Sequence, residues 1–149
     1  MGTRELQLEK ALDILNAKCG RVVRASSIYE TSAWGKTDQP DYLNQALLLE
    51  TAQNARQLLR NILKAEKEMG RVRKNKYDPR VIDIDILFFN NEVINYSFLT
   101  VPHPEIQNRR FALLPLAEIA PDILHPIFGT SVSMLLSKCT DPLEVRKFS

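Results

Sequence analysis

The chain has 149 residues, of which 44% are hydrophobic and 26% charged, and its formal net charge is +2. This length and composition are typical of one globular domain, residues 1–149, with a full hydrophobic core. The small positive charge argues against bulk nucleic-acid binding, and no apolar run approaches the roughly 18 residues of a membrane span. Cys19 and Cys139 fit neither a zinc pattern nor a C-x-x-C motif, and they favour a reducing, cytoplasmic location.

The first half of the chain predicts two helices with two strands between them. Apolar residues at helical spacing indicate two amphipathic helices, and apolar runs rich in strand formers indicate two strands between them. Polar loops follow the first strand and the second helix, and both contain Gly, Pro and Asp. The predicted elements are a helix over 3–19, strands over 21–31 and 42–51, and a helix over 54–69.

The second half begins with a run typical of a strand, "DPRVIDIDILFF" at residues 78–89. Asn90–Asn91 is a turn signal, and "EVIN" at 92–95 fits a short returning strand. Residues 112–120 predict a helix with a proline interruption, and 130–139 predict a short final helix. The order helix, strand, strand, helix, strand fits an α+β, ferredoxin-like sandwich with a central antiparallel sheet and a C-terminal extension, if its first strand is missing from the front.

Two acids within the 78–89 run indicate a metal site. Alternation along a strand puts Asp83 and Asp85 on one face and the neighbouring isoleucines on the other. The two carboxylates repel each other, and neither tolerates burial without a partner. Their oxygens suit Mg²⁺, including the two-metal sites of phosphoryl and nucleotidyl transfer. The alternative is a solvated sheet face on which the acids pair with arginines.

Positive charge is concentrated just before the two acids. The cluster comprises Arg71, Arg73, Lys74, Lys76 and Arg80. Cations beside a metal site suit a polyphosphate, because the metal bridges some oxygens and arginine neutralises the others. The alternatives are a solvated loop and a patch for RNA. Since the sequence has no glycine-rich P-loop, a nucleotide would be held by side chains and metal ions.

A second set of residues suits a flat heterocycle. Trp34 lies in the 32–41 loop, and Tyr42 and Asn44 share a strand face because they are two residues apart. An aromatic ring can stack on a heterocycle while an amide binds its edge. The alternative is that the aromatic rings only cover the core. His103, between two prolines, is either a donor to phosphate or a surface residue.

Four stretches of the chain together carry a family pattern. They are "DQPDYLNQA" (38–46), "GRVR" (70–73), "DPRVIDIDIL" (78–87) and "VPHPEIQNRRFALLPLAEIAP" (101–121). They resemble 6-hydroxymethyl-7,8-dihydropterin pyrophosphokinase of folate synthesis, whose Pro-Arg, two residues and Asp-x-Asp are followed by Val-Pro-His and Asn-Arg-x-Phe. The resemblance covers roughly residues 2–128 in the same order, and four linked motifs are more specific than any one alone.

The resemblance implies transfer of pyrophosphate from MgATP to the hydroxymethyl group of the dihydropterin, which gives the dihydropterin diphosphate and AMP. Asp83 and Asp85 would bind two Mg²⁺ ions. Arg73 and Arg80 would contact the phosphates and complete the catalytic set. The residues expected to bind the pterin are Ser32, Ala33, Trp34, Gly35, Tyr42, Asn44 and Phe111. The residues expected to bind ATP are Leu59, Glu66, Arg71, Arg73, Lys76, Tyr77, Arg80, Ile86, Thr100, His103 and Arg109.

The chain departs from the family pattern at two places. Lys76, Tyr77 and Asp78 stand where the family has Arg-Trp-Gly, and Tyr77 is the candidate to replace the tryptophan as a cover for ATP. The family begins with a strand and a Gly-Ser-Asn turn, whereas this chain begins at Met1-Gly2. The first strand is therefore expected to be missing here, which leaves three alternatives: the true start lies upstream, another segment or another chain fills the gap, or the fold is weakened.

Three hypotheses for the function follow. The first is an Mg²⁺-dependent pyrophosphokinase that acts on two small molecules, without nucleic acid or membrane, as a monomer, or as a dimer if a second chain supplies the missing strand. The second is a truncated homologue that only binds ATP or pterin. The third is an RNA-binding ferredoxin-like domain. It is disfavoured because Asp83 and Asp85 would repel a phosphate chain unless metal were bound.

Overall fold

The structure is a computed structural model that describes residues 3–31, 42–70 and 82–148. These residues form helices and antiparallel sheets, and the fold class is α+β as predicted. The helices are α1 Thr3–Lys18, α2 Ala55–Met69, α3 Arg110–Ile119 and α4 Val132–Lys138. The strands are β1 Arg21–Ala25, β2 Tyr29–Thr31, β3 Tyr42–Asn44, β4 Leu47–Glu50, β5 Ile94–Tyr96, β6 Leu99–Val101 and β7 Val145–Lys147. None of the described helices is long and apolar enough to cross a membrane.

The chain divides into two compact units, and the first comprises Met1–Val23 and Leu49–Ile86. Within it α1 packs against α2. The buried residues of α2 follow helical spacing and are Ala55, Leu58, Ile62, Ala65 and Met69. A capping box starts α2: Asn54 Oδ1 accepts from the N–H of Gln57, and Gln57 Oε1 accepts from the N–H of Asn54. Such a cap is worth about 1 kcal/mol and explains why the predicted start was right.

Each of the two long strands predicted for the first half is divided into two shorter strands. β1 pairs with β4, and β2 pairs with β3. The division falls at Ser26 and Ala46, where the N–H of Ser26 donates to the carbonyl oxygen of Ala46 at 2.9 Å. Ser26 Oγ in turn accepts from the N–H of Ala46 at 2.9 Å. The side chain of Ser26 thus replaces the backbone acceptor of a regular ladder. The strand propensity of the residues does not predict such a break.

The second unit comprises Arg24–Leu48 and Leu87–Ser149. Its core lies between α3 and α4, and its buried residues include Ile106, Leu113, Leu116, Ile119, Val132 and Leu135. The helix α3 runs through Pro115, which is buried, and α3 packs against the antiparallel sheet β3-β2-β7. The sequence did not predict β7. The single domain predicted for residues 1–149 stays a prediction.

The strand predicted over 78–89 is wrong for its described part. No strand is assigned within residues 82–89, although the turn at Asn90 follows as predicted, with a φ of 51°. The strand β5 pairs with β6, so the "EVIN" region does not return along this segment. Composition predicts an extended backbone, but a strand also needs a ladder of hydrogen bonds to a neighbour. Within the second unit, the carbonyl oxygen of Leu87 accepts from the N–H of His103 at 2.9 Å, and that of Phe89 accepts from the N–H of Glu92 at 3.0 Å.

Candidate functional site

Two exposed carboxylates lie on the segment 82–86 of the first unit. Asp83 and Asp85 are exposed, and the isoleucines at 82, 84 and 86 are half-buried. The alternation predicted from the sequence is therefore present without strand pairing. It leaves both acids facing water, where they keep their solvation and can bind a cation.

Glu66 of α2 contacts the backbone between the two acids. Its Oε2 accepts a hydrogen bond of 2.6 Å from the N–H of Ile84. Glu66 is half-buried, and a hydrogen bond to a charged acceptor contributes about 1.5–3 kcal/mol. Leu59 lies on the same face of α2, about 10 Å away along the helix axis, because seven residues make two turns. Of the two predicted nucleotide residues on α2, Glu66 contacts the acidic segment through this hydrogen bond.

The two carboxylates fit a metal ion that arrives with a polyphosphate. The residues that the structure describes contain no group of three or more His, Cys, Asp or Glu side chains able to hold a metal ion. A cation at Asp83 and Asp85 would take its other ligands from phosphate oxygens and water. Mg²⁺ is commonly bound in this way, by one or two carboxylates plus substrate phosphates.

In the second unit, β3 carries the predicted aromatic and amide pair. Tyr42 and Asn44 are two residues apart on this strand and therefore lie on one face, as predicted. Asn44 Nδ2 donates to Thr31 Oγ1 at 3.3 Å, and Thr31 is buried, so the amide has a fixed orientation. The ring of Tyr42 is 58% exposed and is accessible for stacking.

The segment between β6 and α3 carries further predicted residues. His103 Nδ1 accepts from the N–H of Glu105 at 3.1 Å, so the neutral ring carries its proton on Nε2, a donor suited to a phosphate oxygen. The guanidinium carbon of Arg109 lies 5.7 Å from the centre of the Phe111 ring, within the range of a cation–π contact. Thr100 is exposed on β6. Cation and ring therefore meet at the start of α3.

A hydrogen-bond network around Glu118 was not predicted. Glu118 of α3 accepts from the hydroxyl of Tyr29 at 2.6 Å, from the N–H of Ser27 at 3.0 Å and from its hydroxyl at 3.1 Å. Burial and this bond raise the pKa of Tyr29 to about 12, and the bond from Tyr29 lowers the pKa of Glu118. The network joins α3 to β2, the neighbour of β3. Its partners are 89 positions apart, so local sequence patterns give no signal for it.

Nine predicted site residues lie outside the described residues, and their roles stay predictions. They are Ser32, Ala33, Trp34, Gly35, Arg71, Arg73, Lys76, Tyr77 and Arg80. The described ones form two sets that belong to different units. The first unit carries Leu59, Glu66, Asp83, Asp85 and Ile86. The second carries Tyr42, Asn44, Thr100, His103, Arg109 and Phe111.

These donors fit a class of enzymes that transfer phosphate groups from nucleotides. Carboxylates suit the hard cation, histidine and arginine suit the phosphates, and an aromatic ring with an amide suits a heterocycle. The family model for 7,8-dihydro-6-hydroxymethylpterin-pyrophosphokinase (HPPK) matches residues 1–121, a span that contains every predicted site residue. The chain therefore belongs to the HPPK family, a family of pyrophosphokinases.

Individual relatives agree with the family match. The 2-amino-4-hydroxy-6-hydroxymethyldihydropteridine pyrophosphokinase of Aquifex aeolicus is 41% identical over 128 residues, which are 86% of this chain and 79% of that protein. The protein of the same name from Methylorubrum extorquens is 39% identical over 148 residues, 99% of this chain and 92% of that protein. The folic acid synthesis protein fol1 of Pneumocystis carinii is 34% identical over 141 residues, 95% of this chain and 19% of that protein. The resemblance carried by the four motifs is confirmed.

Proposed function

We propose that this chain transfers pyrophosphate from MgATP to the hydroxymethyl group of 6-hydroxymethyl-7,8-dihydropterin in folate biosynthesis. The observation that carries the proposal is the family match over residues 1–121, which includes the exposed pair Asp83 and Asp85. The substrate hydroxyl oxygen forms a bond to the β-phosphorus, while the bond from that phosphorus to the oxygen bridging the α-phosphorus breaks. AMP leaves with the bridging oxygen, the hydroxyl proton passes to solvent, and the dihydropterin diphosphate remains.

In the first unit we assign the acids to the metal and the nucleotide. Asp83 and Asp85 would hold two Mg²⁺ ions, and Glu66 fixes the backbone between the two acids through its hydrogen bond with Ile84. Bound Mg²⁺ would neutralise charge on the transferred phosphate groups. Leu59 and Ile86 supply apolar contacts to ATP. We also assign contacts with the phosphates to Arg71, Arg73, Lys76 and Arg80. Tyr77 is assigned as the cover for ATP.

In the second unit we assign one group of residues to the pterin and another group to the phosphates and the nucleotide. Tyr42, Asn44 and Phe111 bind the pterin, together with residues 32–35. Arg109 and His103 contact the triphosphate, and Thr100 lies by the nucleotide. The contact between Arg109 and Phe111 supports this division, because it places a cation beside the proposed stacking ring. Holding the alcohol and the β-phosphorus in line supplies much of the rate in such transfers.

We further propose that the chain acts as a monomer in the cytoplasm, on small molecules and without nucleic acid. Cys19 and Cys139 are buried free thiols. Burial raises the pKa of the Cys19 thiol, which keeps it in its less reactive, protonated form. Two buried reduced thiols support a reducing compartment.

The deciding experiment measures AMP release from MgATP with and without the dihydropterin. The variants are Asp83→Asn and Asp85→Asn, with Asp122→Asn as a matched control, since Asp122 is exposed and outside the proposed site. We expect pterin-dependent AMP from the unmodified chain and from the control. Each of the two site variants should lose at least about 100-fold, because a metal contributes several kcal/mol and about 1.4 kcal/mol is tenfold.

Other outcomes would select the competing hypotheses. A folded chain that binds ATP or pterin but releases no AMP would support the truncated homologue. Full activity in both Asp83→Asn and Asp85→Asn would contradict the metal assignment. RNA binding in the absence of pterin-dependent AMP would support the third hypothesis.

A further inference from the structure

The C-terminal segment, residues 139–148, contacts α3, whose first turn carries Phe111, and β2, the neighbour of the strand that carries Tyr42 and Asn44. It lies beyond residues 1–121, the part that the family model matches, and the sequence predicted no site role for it. Its first residues contact the start of α3, and its strand β7 pairs with β2. Both contacts are made within the second unit.

Asp141 and Arg110 bind each other through side chain and backbone. Asp141 Oδ2 accepts from the N–H of Arg110 at 3.1 Å, and this carboxylate caps the N-terminus of α3. In return, the guanidinium of Arg110 donates to the carbonyl oxygen of Asp141 and, at 2.7 Å, to that of Cys139. Arg109 is the N-cap residue of α3 and makes no side-chain cap hydrogen bond. The capping acid therefore comes from a segment about 30 residues further along the chain.

The contact fixes the helix end that carries two proposed substrate residues. Arg110 lies between Arg109, assigned to the phosphates, and Phe111, assigned to the pterin. Because the backbone N–H and the guanidinium of Arg110 both bind the C-terminal segment, the positions from which the neighbouring side chains project are also held. A shift of about 1 Å in such a group can lower the rate of a reaction about 100-fold.

The same segment also pairs with β2, the neighbour of the strand that carries the pterin pair. In the three-stranded sheet, β7 lies on one side of β2 and β3 on the other. Thr31 of β2 is opposite Val145 of β7 and opposite Tyr42 of β3. Thr31 also accepts the hydrogen bond from Asn44. The C-terminal segment thus contacts the turn that carries Phe111 directly, and it is linked to Tyr42 and Asn44 through β2.

We infer that Asp141 is a positioning residue that fixes the first turn of α3, so that Phe111 and Arg109 meet the pterin and the phosphates in the productive geometry. This inference rests on the proposed function. It adds a role for a part of the chain outside residues 1–121, the span that the family model matches.

The test compares the full chain with Asp141→Ala, Asp141→Asn and Glu144→Ala. Glu144 is the matched control, an exposed acid of the same segment. Two quantities are measured well below the melting temperature: kcat/KM for the dihydropterin, and hydrogen exchange of the amides of residues 110–113. We expect Asp141→Ala to lower kcat/KM about tenfold and to accelerate exchange in this turn. Asp141→Asn keeps an oxygen acceptor, so it should retain most of the kcat/KM and most of the protection from exchange. Glu144→Ala should match the unmodified chain in both quantities.

The outcomes separate this inference from the proposed function. If Asp141→Ala melts at a lower temperature but keeps its kcat/KM, the residue only stabilises the fold and the inference is wrong. Unchanged exchange in residues 110–113 would overturn it as well. If Asp141→Ala does not fold, Arg110→Lys takes its place, because an ammonium cannot reproduce the two-pronged contact. A chain without pterin-dependent AMP release would overturn the proposed function first, and this inference with it.

Discussion

Glu66 accepts a hydrogen bond of 2.6 Å from the N–H of Ile84, the residue between Asp83 and Asp85. Residues 82–89 form no paired strand, so this side chain supplies a restraint that a neighbouring strand would otherwise give. The restraint acts on the backbone of Ile84, which lies between the two residues that carry the exposed carboxylates. Ligand orientation by such supporting hydrogen bonds commonly changes metal affinity about 10- to 100-fold.

We therefore expect Glu66→Ala to raise the Mg²⁺ concentration needed for half-maximal AMP release by about tenfold. Glu66→Gln keeps an oxygen acceptor and should show a smaller shift. Glu68→Gln is the control, because Glu68 lies on the same turn of α2 as Glu66 and the change removes its exposed ion pair with Lys18 of α1. A Mg²⁺ titration of all three variants measures the effect. Identical titrations for Glu66→Ala and the control would contradict the assignment.

The close approach of Gly20 to Glu50 gives a prediction about folding. A Cβ at Gly20 would lie 2.3 Å from the carbonyl oxygen of Glu50, so the backbone must move to accept alanine. We expect Gly20→Ala to lower the free energy of unfolding by about 3 kcal/mol. At Gly129 nothing lies within 4 Å of a new Cβ, and the φ of 69° alone costs about 1 kcal/mol. Urea unfolding of the two variants measures the difference, and equal losses would show that the contact with Glu50 relaxes freely.

Local patterns predicted the helices because their determinants are close in sequence. The capping box of Asn54 and Gln57 and the apolar spacing of α2 are contained within one stretch of chain. The strand over 78–89 failed because its existence depends on a partner and not on its own residues. The alternation of Asp83 and Asp85 with isoleucines is nevertheless present, because both acids are exposed and the isoleucines beside them are half-buried.

The candidate site shows the same division between local and distant determinants. Residue types in linked motifs predicted the acids and the aromatic–amide pair. The contact of Arg110 with Asp141, and that of Tyr29 with Glu118, join residues 31 and 89 positions apart. No spacing rule relates such residues, and only the packing of α3 against β2 and β7 brings them together.

The Tyr29 hydroxyl predicts a loss of stability at high pH. Burial and the bond to Glu118 raise the pKa of Tyr29 from 10.0 to about 12. A raised pKa means that the stabilisation is fully present below pH 10 and is lost as the pH rises towards 12. Tyr29→Phe removes the hydroxyl, so it should lower the free energy of unfolding by about 1–2 kcal/mol at pH 8 and abolish this part of the pH dependence.

Urea unfolding at several pH values between 8 and 11 tests the role of Tyr29. Tyr96→Phe is the control, because Tyr96 is exposed and its ring, which stacks on Phe98, is kept. The stability difference between the unmodified chain and Tyr29→Phe should narrow as the pH rises, whereas the control should follow the unmodified chain at pH 8. A difference that stays constant to pH 11 would mean that the hydroxyl is not held by Glu118 in solution.

His125 predicts a loss of stability at acid pH. The ring is 3% exposed, and its Nδ1 accepts from the N–H of Ile127 at 3.2 Å and of Phe128 at 3.1 Å. Phe128 stacks on the ring with centroids 4.1 Å apart. Burial lowers the pKa of His125 below 6.5. The stabilisation is therefore present above pH 6.5 and is lost as the pH falls through the pKa of the folded state, because protonation turns Nδ1 from an acceptor into a donor.

The variant His125→Asn keeps a hydrogen-bond acceptor at this position but removes the group that titrates. Its amide oxygen can accept the two backbone bonds, but it has no ring to pack on Phe128 and gains no proton between pH 5 and 8. We expect about 2 kcal/mol less stability than the unmodified chain at pH 7.5, and a difference that narrows on acidification to pH 5.5. Urea unfolding at these two pH values measures it. A constant difference would show that His125 binds its proton equally in the folded and unfolded chain. That result would contradict the prediction made from its burial and its two accepted hydrogen bonds.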